Sequence, residues 1–220
     1  SQSLAALAPL GVVNALLDFG DEAQHEAWLP RFASEAPVPA AVALAEPRAT
    51  FEPGDPHTRA RRDGDDYILD GEKCLIPLVE QCQLFLVVAV TDDGPAAFIV
   101  EADSPGLSRA RQDYMGLRSA EPGTLTLEGV RVPASQRLAN FDLERLVSLS
   151  RIGLAALATG CCQAVLEQCV PYALERKAFG EAIARRQSVA FMIADIGTEI
   201  EGMRLLTWRA ASRAEQGLPF

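Results

Sequence analysis

The residues with the clearest chemical meaning lie in one stretch, YALERKAFGEAIARRQSVAFMIAD, from Tyr172 to Asp195. Arg176 precedes a Phe179-Gly180 pair, and Gln187 follows it. Most of the stretch has helical periodicity with one apolar side. Glycine accepts the left-handed backbone that closes helices, so a helix is expected to end near Phe179-Gly180. A guanidinium at such an end is a planar, permanently charged fork that suits phosphate oxygens. A plainer arrangement fits the same residues: Arg176 pairs with Glu175 or another surface carboxylate, and Gln187 is simply solvated. A second candidate is Glu144 in FDLERL, near the start of a long helical run. Acidic residues are favoured there by the helix dipole, and Asp142 fits that description equally well.

Three kinds of segment must position these groups. The first is helical: Leu4, Leu7, Val12, Leu16 and Leu17 recur at roughly helical spacing, with Gly20 closing the run. Asp21 and Gln24 then form the pattern of a capping box ahead of Trp28, Leu29 and Phe32. From residue 38 to 138 the chain changes to short β-type runs rich in proline and glycine. DDYILDGEKCLIP reads as two strands hinged at Asp70-Gly71, a strong hairpin signal. LFLVVAV reads as a fully buried strand that TDDGP turns into AAFIVE. GTLTLEGVRVP alternates, with Leu125 and Leu127 on one face and Thr124, Thr126 and Glu128 on the other. Regularly spaced short strands predict an antiparallel barrel or sandwich. From about Phe141 the pattern is helical again, with Pro171 inside it and a further helix running from beyond Gly180 to Ala214.

The expected class is therefore α+β: helices, then an antiparallel β-barrel-like middle domain, then long helices of a helical bundle. The expected divisions are residues 1–37, 38–138 and 139–220.

Bulk properties exclude several functions. The chain has 220 residues, 49% hydrophobic and 23% charged, enough to bury a real core and too apolar for disorder. A formal net charge of -10 argues against binding nucleic acid through phosphate neutralisation. The five cysteines are odd in number and lack metal-ligand spacing, so they are expected to be reduced, mostly buried thiols in a cytoplasmic protein. The two histidines, His25 and His57, are far apart and are expected at the surface without zinc. No apolar run is expected to reach the length of a membrane span. Both termini read as interrupted, so a fragment of a longer protein is expected.

Several motifs together carry a family resemblance. LAEP (44–47), YILDGEKCLIP (67–77), MGLRSAEPGTLTLEGVRVP (115–133) and YALERKAFGEAIARRQSVAFMIADI (172–196) cover much of the chain, and FGDEAQHEAWLPRFAS (19–34) precedes them. In this order they resemble the acyl-CoA dehydrogenase family, whose signatures include threonine-glutamate-proline, tryptophan-isoleucine-threonine, and an arginine-phenylalanine-glycine run followed by glutamine. The resemblance implies FAD as cofactor, an acyl-CoA thioester as substrate and an electron-transfer flavoprotein as redox partner. It also implies a homodimer or tetramer, because Arg176, Phe179 and Gln187 correspond to residues that reach the dinucleotide of a neighbouring subunit. Glu144 matches the position of the catalytic base in a subset of the family.

The chain departs from the family at the flavin ring. The two threonines that bond the ring correspond to Ala45 and Pro77, and the packing tryptophan to Leu75. Ala45 has no hydroxyl, and Pro77 has neither hydroxyl nor backbone N–H. What these positions leave for the ring is backbone around Leu44, Ala45, Leu75 and Ile76. Two functions follow: a flavoprotein that oxidises an acyl-CoA thioester to its 2-enoyl form, or a non-catalytic subunit or scaffold that pairs with a complete homologue.

Overall fold

The computed structural model describes residues 2–116 and 118–220, with side chains from Ala8 onward. The expected contributions of Leu4, Leu7 and Leu117 lie outside the described side chains. The chain divides into two compact units, residues 1–146 and 147–220.

In the first unit, α1 (Gln2–Phe19) and α2 (Glu22–Trp28) precede seven strands. These are β1 (Ala40–Ala43), β2 (Arg59–Asp63), β3 (Asp66–Ile76), β4 (Leu84–Thr91), β5 (Gly94–Glu101), β6 (Leu107–Arg111) and β7 (Gly123–Pro133). They form one curled sheet in the order β1-β4-β2-β3-β7-β6, with β5 along the other side of β4. Most pairings are antiparallel, but β1 runs parallel to β4, and β2 meets β4 in parallel at Arg59 and Val90.

The full burial of β4 has a simple cause. Phe85, Val87 and Ala89 enter a cluster inside the curl with Tyr67, Leu69, Phe98, Leu125 and Val132. Leu84, Leu86 and Val88 enter a second cluster on the opposite face, against Val12, Leu16 and Phe19 of α1. Residues 1–37 thus belong to the same compact unit as the sheet. The Asp21–Gln24 capping box is formed, with Gln24 N bonding Asp21 Oδ1 at 2.8 Å and Asp21 N bonding Gln24 Oε1 at 3.1 Å. His25 is half-buried and its Nε2–H donates to Leu16 O at 2.7 Å, closing the end of α1.

The expected hairpin at Asp70-Gly71 does not exist. Strand β3 runs straight through it, and the real turns fall at Gly64-Asp65 and Asp92-Asp93. Leu69 pairs with Val130 and Gly71 with Leu127, so the extra residue lies in β7 and the bulge falls at Glu128-Gly129, opposite Asp70. The Asp70 carboxylate fills the gap by accepting from Gly129 N at 2.7 Å. Gly71 has φ of 150°, and a Cβ there would stand 2.8 Å from Thr58 Oγ1 and 2.9 Å from Thr58 Cα. The glycine serves close approach of the Thr58 segment rather than reversal of the chain.

The second unit follows from α3 (Leu143–Glu175), which crosses the division between units and passes through Pro171. A short hairpin, β8 (Lys177–Ala178) and β9 (Glu181–Ala182), leads to α4 (Gln187–Glu215). Arg204 Nη2 on α4 donates to Gln163 Oε1 on α3 at 2.9 Å, and Gly197 lies opposite Leu166. All five cysteines are free, but only Cys82 is buried, and Cys161 is exposed. This corrects the expectation of mostly buried thiols: α3 leaves much of its apolar surface open.

Candidate functional site

Site residues lie in both units. In the second, Phe179 and Gly180 are not a helix cap as expected; α3 ends at Glu175. They form the tip between β8 and β9, with φ of 54° and 89°. Hairpins this tight need positive φ at both central residues because their twist must match that of the strands. Glycine meets that demand freely, whereas phenylalanine does so under strain. Phe179 is also 92% exposed. An aromatic ring held in strained backbone and presented to solvent does no packing within its own hairpin beyond Arg186.

Three polar side chains accompany the tip. Arg176 directly follows α3, its N–H donating to Tyr172 O at 2.8 Å; its side chain is exposed and enters no ion pair among the described residues. The alternative pairing with Glu175 is therefore not formed. Arg186 lies over the Phe179 ring, 4.8 Å from its centroid, and donates through Nη2 to Ala178 O at 3.4 Å. Its Nε is buried without a partner among the described residues. Gln187 opens α4 and is exposed. The hairpin thus offers two guanidinium forks, an amide and an aromatic face, a donor set that fits a dinucleotide.

In the first unit, the LAEP segment meets the end of β3. Cys74 N donates to Ala45 O at 2.8 Å, which brings Leu44 and Ala45 beside Leu75, Ile76 and Pro77. Ile76 is buried and anchors the strand. Leu75 is 57% exposed, with φ of 58°, inside a second register irregularity between Lys73 and Ile76. A leucine in left-handed backbone costs about 1–3 kcal/mol and persists only where its surroundings over-determine it. Neither Ala45 nor Pro77 offers a side-chain donor, so this edge fits a flavin ring through backbone groups and the apolar cover of Leu75.

What over-determines the edge is a buried ion pair that sequence reasoning missed. Lys73 is fully buried, and its Nζ donates to Glu46 Oε1 at 2.9 Å and to Leu44 O at 3.2 Å. Glu46, 5% exposed, also accepts from Thr58 N at 2.8 Å, Thr58 Oγ1 at 2.9 Å and His57 N at 2.9 Å. Arg48 Nε lies 3.3 Å from Glu46 Oε2. Burial alone would raise the Glu46 carboxyl pKa. The Thr58 N–H, the Lys73 ammonium and the His57 N–H outweigh burial and hold it at about 2, against an ordinary 4.5. Burial lowers the Lys73 ammonium, opposed by Glu46. A signal was available. Tyr67, Leu69 and Lys73 share the inward phase of β3, and a lysine there requires a buried acid.

Glu144 lies in the first turn of α3 and is exposed. Asp142 caps that turn, its Oδ1 accepting from Arg145 N at 3.0 Å, and Arg145 Nε bonds Asp18 of α1 at 2.9 Å. Leu146 is buried in the cluster that joins α1 to the sheet, and Leu143 packs against it. The start of α3, and with it Glu144, is thereby held on the first unit. Two shallow hollows, both lined in part by Arg31 and Gln83, include none of these residues.

The pattern described as "Acyl-CoA dehydrogenase, middle domain" matches residues 41–130, and that of "Acyl-CoA dehydrogenase, C-terminal domain" matches residues 142–220. The chain belongs to the acyl-CoA dehydrogenase family. It is 36% identical over 230 residues to a probable acyl-CoA dehydrogenase, YngJ, of Bacillus subtilis, covering 99% of this chain and 60% of that protein. It is 34% identical over 216 residues to the mitochondrial short-chain specific acyl-CoA dehydrogenase of Bos taurus, covering 93% of this chain and 52% of that one. A glutaryl-CoA dehydrogenase of Mycobacterium smegmatis, solved in complex with FADH2, superimposes with a TM-score of 0.83 at 29% identity, covering 93% of this chain and 54% of that one. The chain thus spans little more than half the length of the acyl-CoA dehydrogenases it matches. Among the described helices α3 is long and apolar enough, by length and composition, to cross a membrane; it lies within the C-terminal domain match.

Proposed function

We propose that this acyl-CoA dehydrogenase family member is a flavoprotein that dehydrogenates an acyl-CoA thioester between its α and β carbons. The observation that carries the reading is the β8–β9 tip, where exposed Phe179 stands with Gln187 and with Arg176, which enters no ion pair among the described residues. FAD, when bound, supplies the hydride acceptor. Across a dimer, Arg176 would meet the pyrophosphate of the neighbouring copy's FAD and Gln187 its adenosine end, and Phe179, steadied by Arg186, offers a stacking face. Leu75 covers the ring, and the backbone around Leu44, Ala45 and Ile76 meets its edge. The Glu144 carboxylate takes the α-proton of the thioester as general base. The functional form is a homodimer or tetramer in the cytoplasm, served by an electron-transfer flavoprotein.

The test is a visible absorption spectrum of the purified chain before and after addition of FAD. A bound flavin band is expected. Protein that stays colourless at saturating FAD refutes the reading. A second reading, favoured by the missing hydroxyls at Ala45 and Pro77, is a non-catalytic subunit. It requires that a co-purified homologue restore flavin binding, and turnover by the isolated chain refutes it.

A further inference from the structure

We propose that Glu46 and Lys73 are positioning residues for the flavin ring: their buried ion pair sets the backbone edge at Leu44–Ala45 and Cys74–Ile76. The inference rests on the flavoprotein reading above and adds to it the device that makes the ring site work.

A side-chain hydroxyl can rotate to meet a ligand, whereas a backbone N–H or C=O points where the chain holds it. A ring site built on backbone therefore needs a rigid frame. At this edge the frame is one carboxylate. Glu46 lies two residues after Leu44, and Lys73 lies two residues before Leu75. The Lys73 main chain belongs to β3, while its Nζ bonds Leu44 O at 3.2 Å and Glu46 Oε1 at 2.9 Å. One ammonium thus bonds both segments, and Cys74 N to Ala45 O at 2.8 Å adds a second link between them. Through His57 N, Thr58 N and Thr58 Oγ1 the same carboxylate fastens the far end of the 47–57 loop. Gly71 lets the Thr58 backbone come near enough for this. Leu75, held at φ of 58° and left exposed, is the residue such a frame would present.

Net stability does not explain the arrangement. A buried ion pair contributes little over an apolar pair of equal volume. What it adds is direction, because an ammonium bonds a particular carbonyl at a particular angle.

The test follows from that contrast. The double variant Glu46→Leu/Lys73→Met keeps the volume and removes the directional bonds. It is expected to fold but to melt below wild type, because Thr58 N, Thr58 Oγ1 and His57 N lose their acceptor. Its Kd for FAD, by fluorescence titration, is expected to rise by about tenfold or more, the effect of one or two misaligned hydrogen bonds. Its visible flavin band and reduction potential are also expected to shift. Arg176→Ala, which acts on the phosphates, is expected to raise Kd and leave the band shape as it is. A folded double variant with wild-type Kd and band overturns the inference alone. Should the double variant not fold, Thr58→Val removes one neutral donor from Glu46. A roughly two- to threefold rise in Kd with a shifted band supports the inference, and an unchanged band overturns it. Wild-type protein that takes up no FAD overturns both this inference and the reading beneath it.

Discussion

Phe179 carries a conflict that can be measured. Its φ of 54° suits asparagine far better than phenylalanine, and asparagine followed by glycine is the preferred pair in such turns. Phe179→Asn is expected to leave thermal stability equal or to raise it by up to about 1 kcal/mol. The same change removes the stacking face and weakens FAD binding. Calorimetry and a flavin titration should therefore move in opposite directions. If both fall together, the ring has a packing role instead. Glu144 poses a separate question, because it is exposed in a capped first turn whether or not it is a base. Glu144→Gln keeps the shape and is expected to retain flavin while lowering dehydrogenation of an acyl-CoA by about 10²–10⁴-fold. Turnover close to wild type would return Glu144 to a helix-dipole role.

At the scale of elements, stability gathers where β3 meets the LAEP segment. Glu46→Ala leaves the Lys73 ammonium buried without its acid, and a loss of about 3–5 kcal/mol is expected in urea unfolding. The pair also sets an acid limit. The folded carboxyl is held near 2 and its ordinary value is 4.5. Its contribution is therefore complete above about pH 4.5 and fades as pH falls toward 2. Wild type should lose stability through that window, and Glu46→Gln should lose less of its own remaining stability there. Parallel slopes for the two proteins would remove Glu46 from the account. The close approach of Thr58 to Gly71 is tested by Gly71→Ala, which forces a Cβ to within 2.9 Å of Thr58 Cα at φ of 150°. A loss larger than the roughly 1 kcal/mol of an ordinary glycine effect is expected, read from the midpoint of denaturant unfolding. A neutral result would mean that the Thr58 segment is free to move.

At the scale of the molecule, the second unit holds little core of its own. Among its described residues only Thr159, Ala173, Ile200 and Ala214 are buried, while Leu154, Val165, Leu174, Phe191, Leu206 and Trp208 stand exposed. Apolar surface on that scale marks an interface. Sedimentation is expected to give at least twice the 23.6 kDa of one chain; a stable monomer would contradict this. Period, turn residues and motif order were legible in the sequence. They established the α+β class, the alternation of β7, the double burial of β4, the capping box and the family, because each depends on neighbours a few residues away. Asp70-Gly71 was misread because an aspartate-glycine pair also suits a strand position that a neighbouring segment approaches closely, and only the partner segments decide between that and a turn. Phe179-Gly180 was misread for the same reason, since left-handed backbone closes helices and turns hairpins alike. The Glu46–Lys73 pair, 27 residues apart, was decided by tertiary structure alone. A charge can stay buried only where folding brings its counter-charge within bonding distance, and local sequence does not encode that meeting.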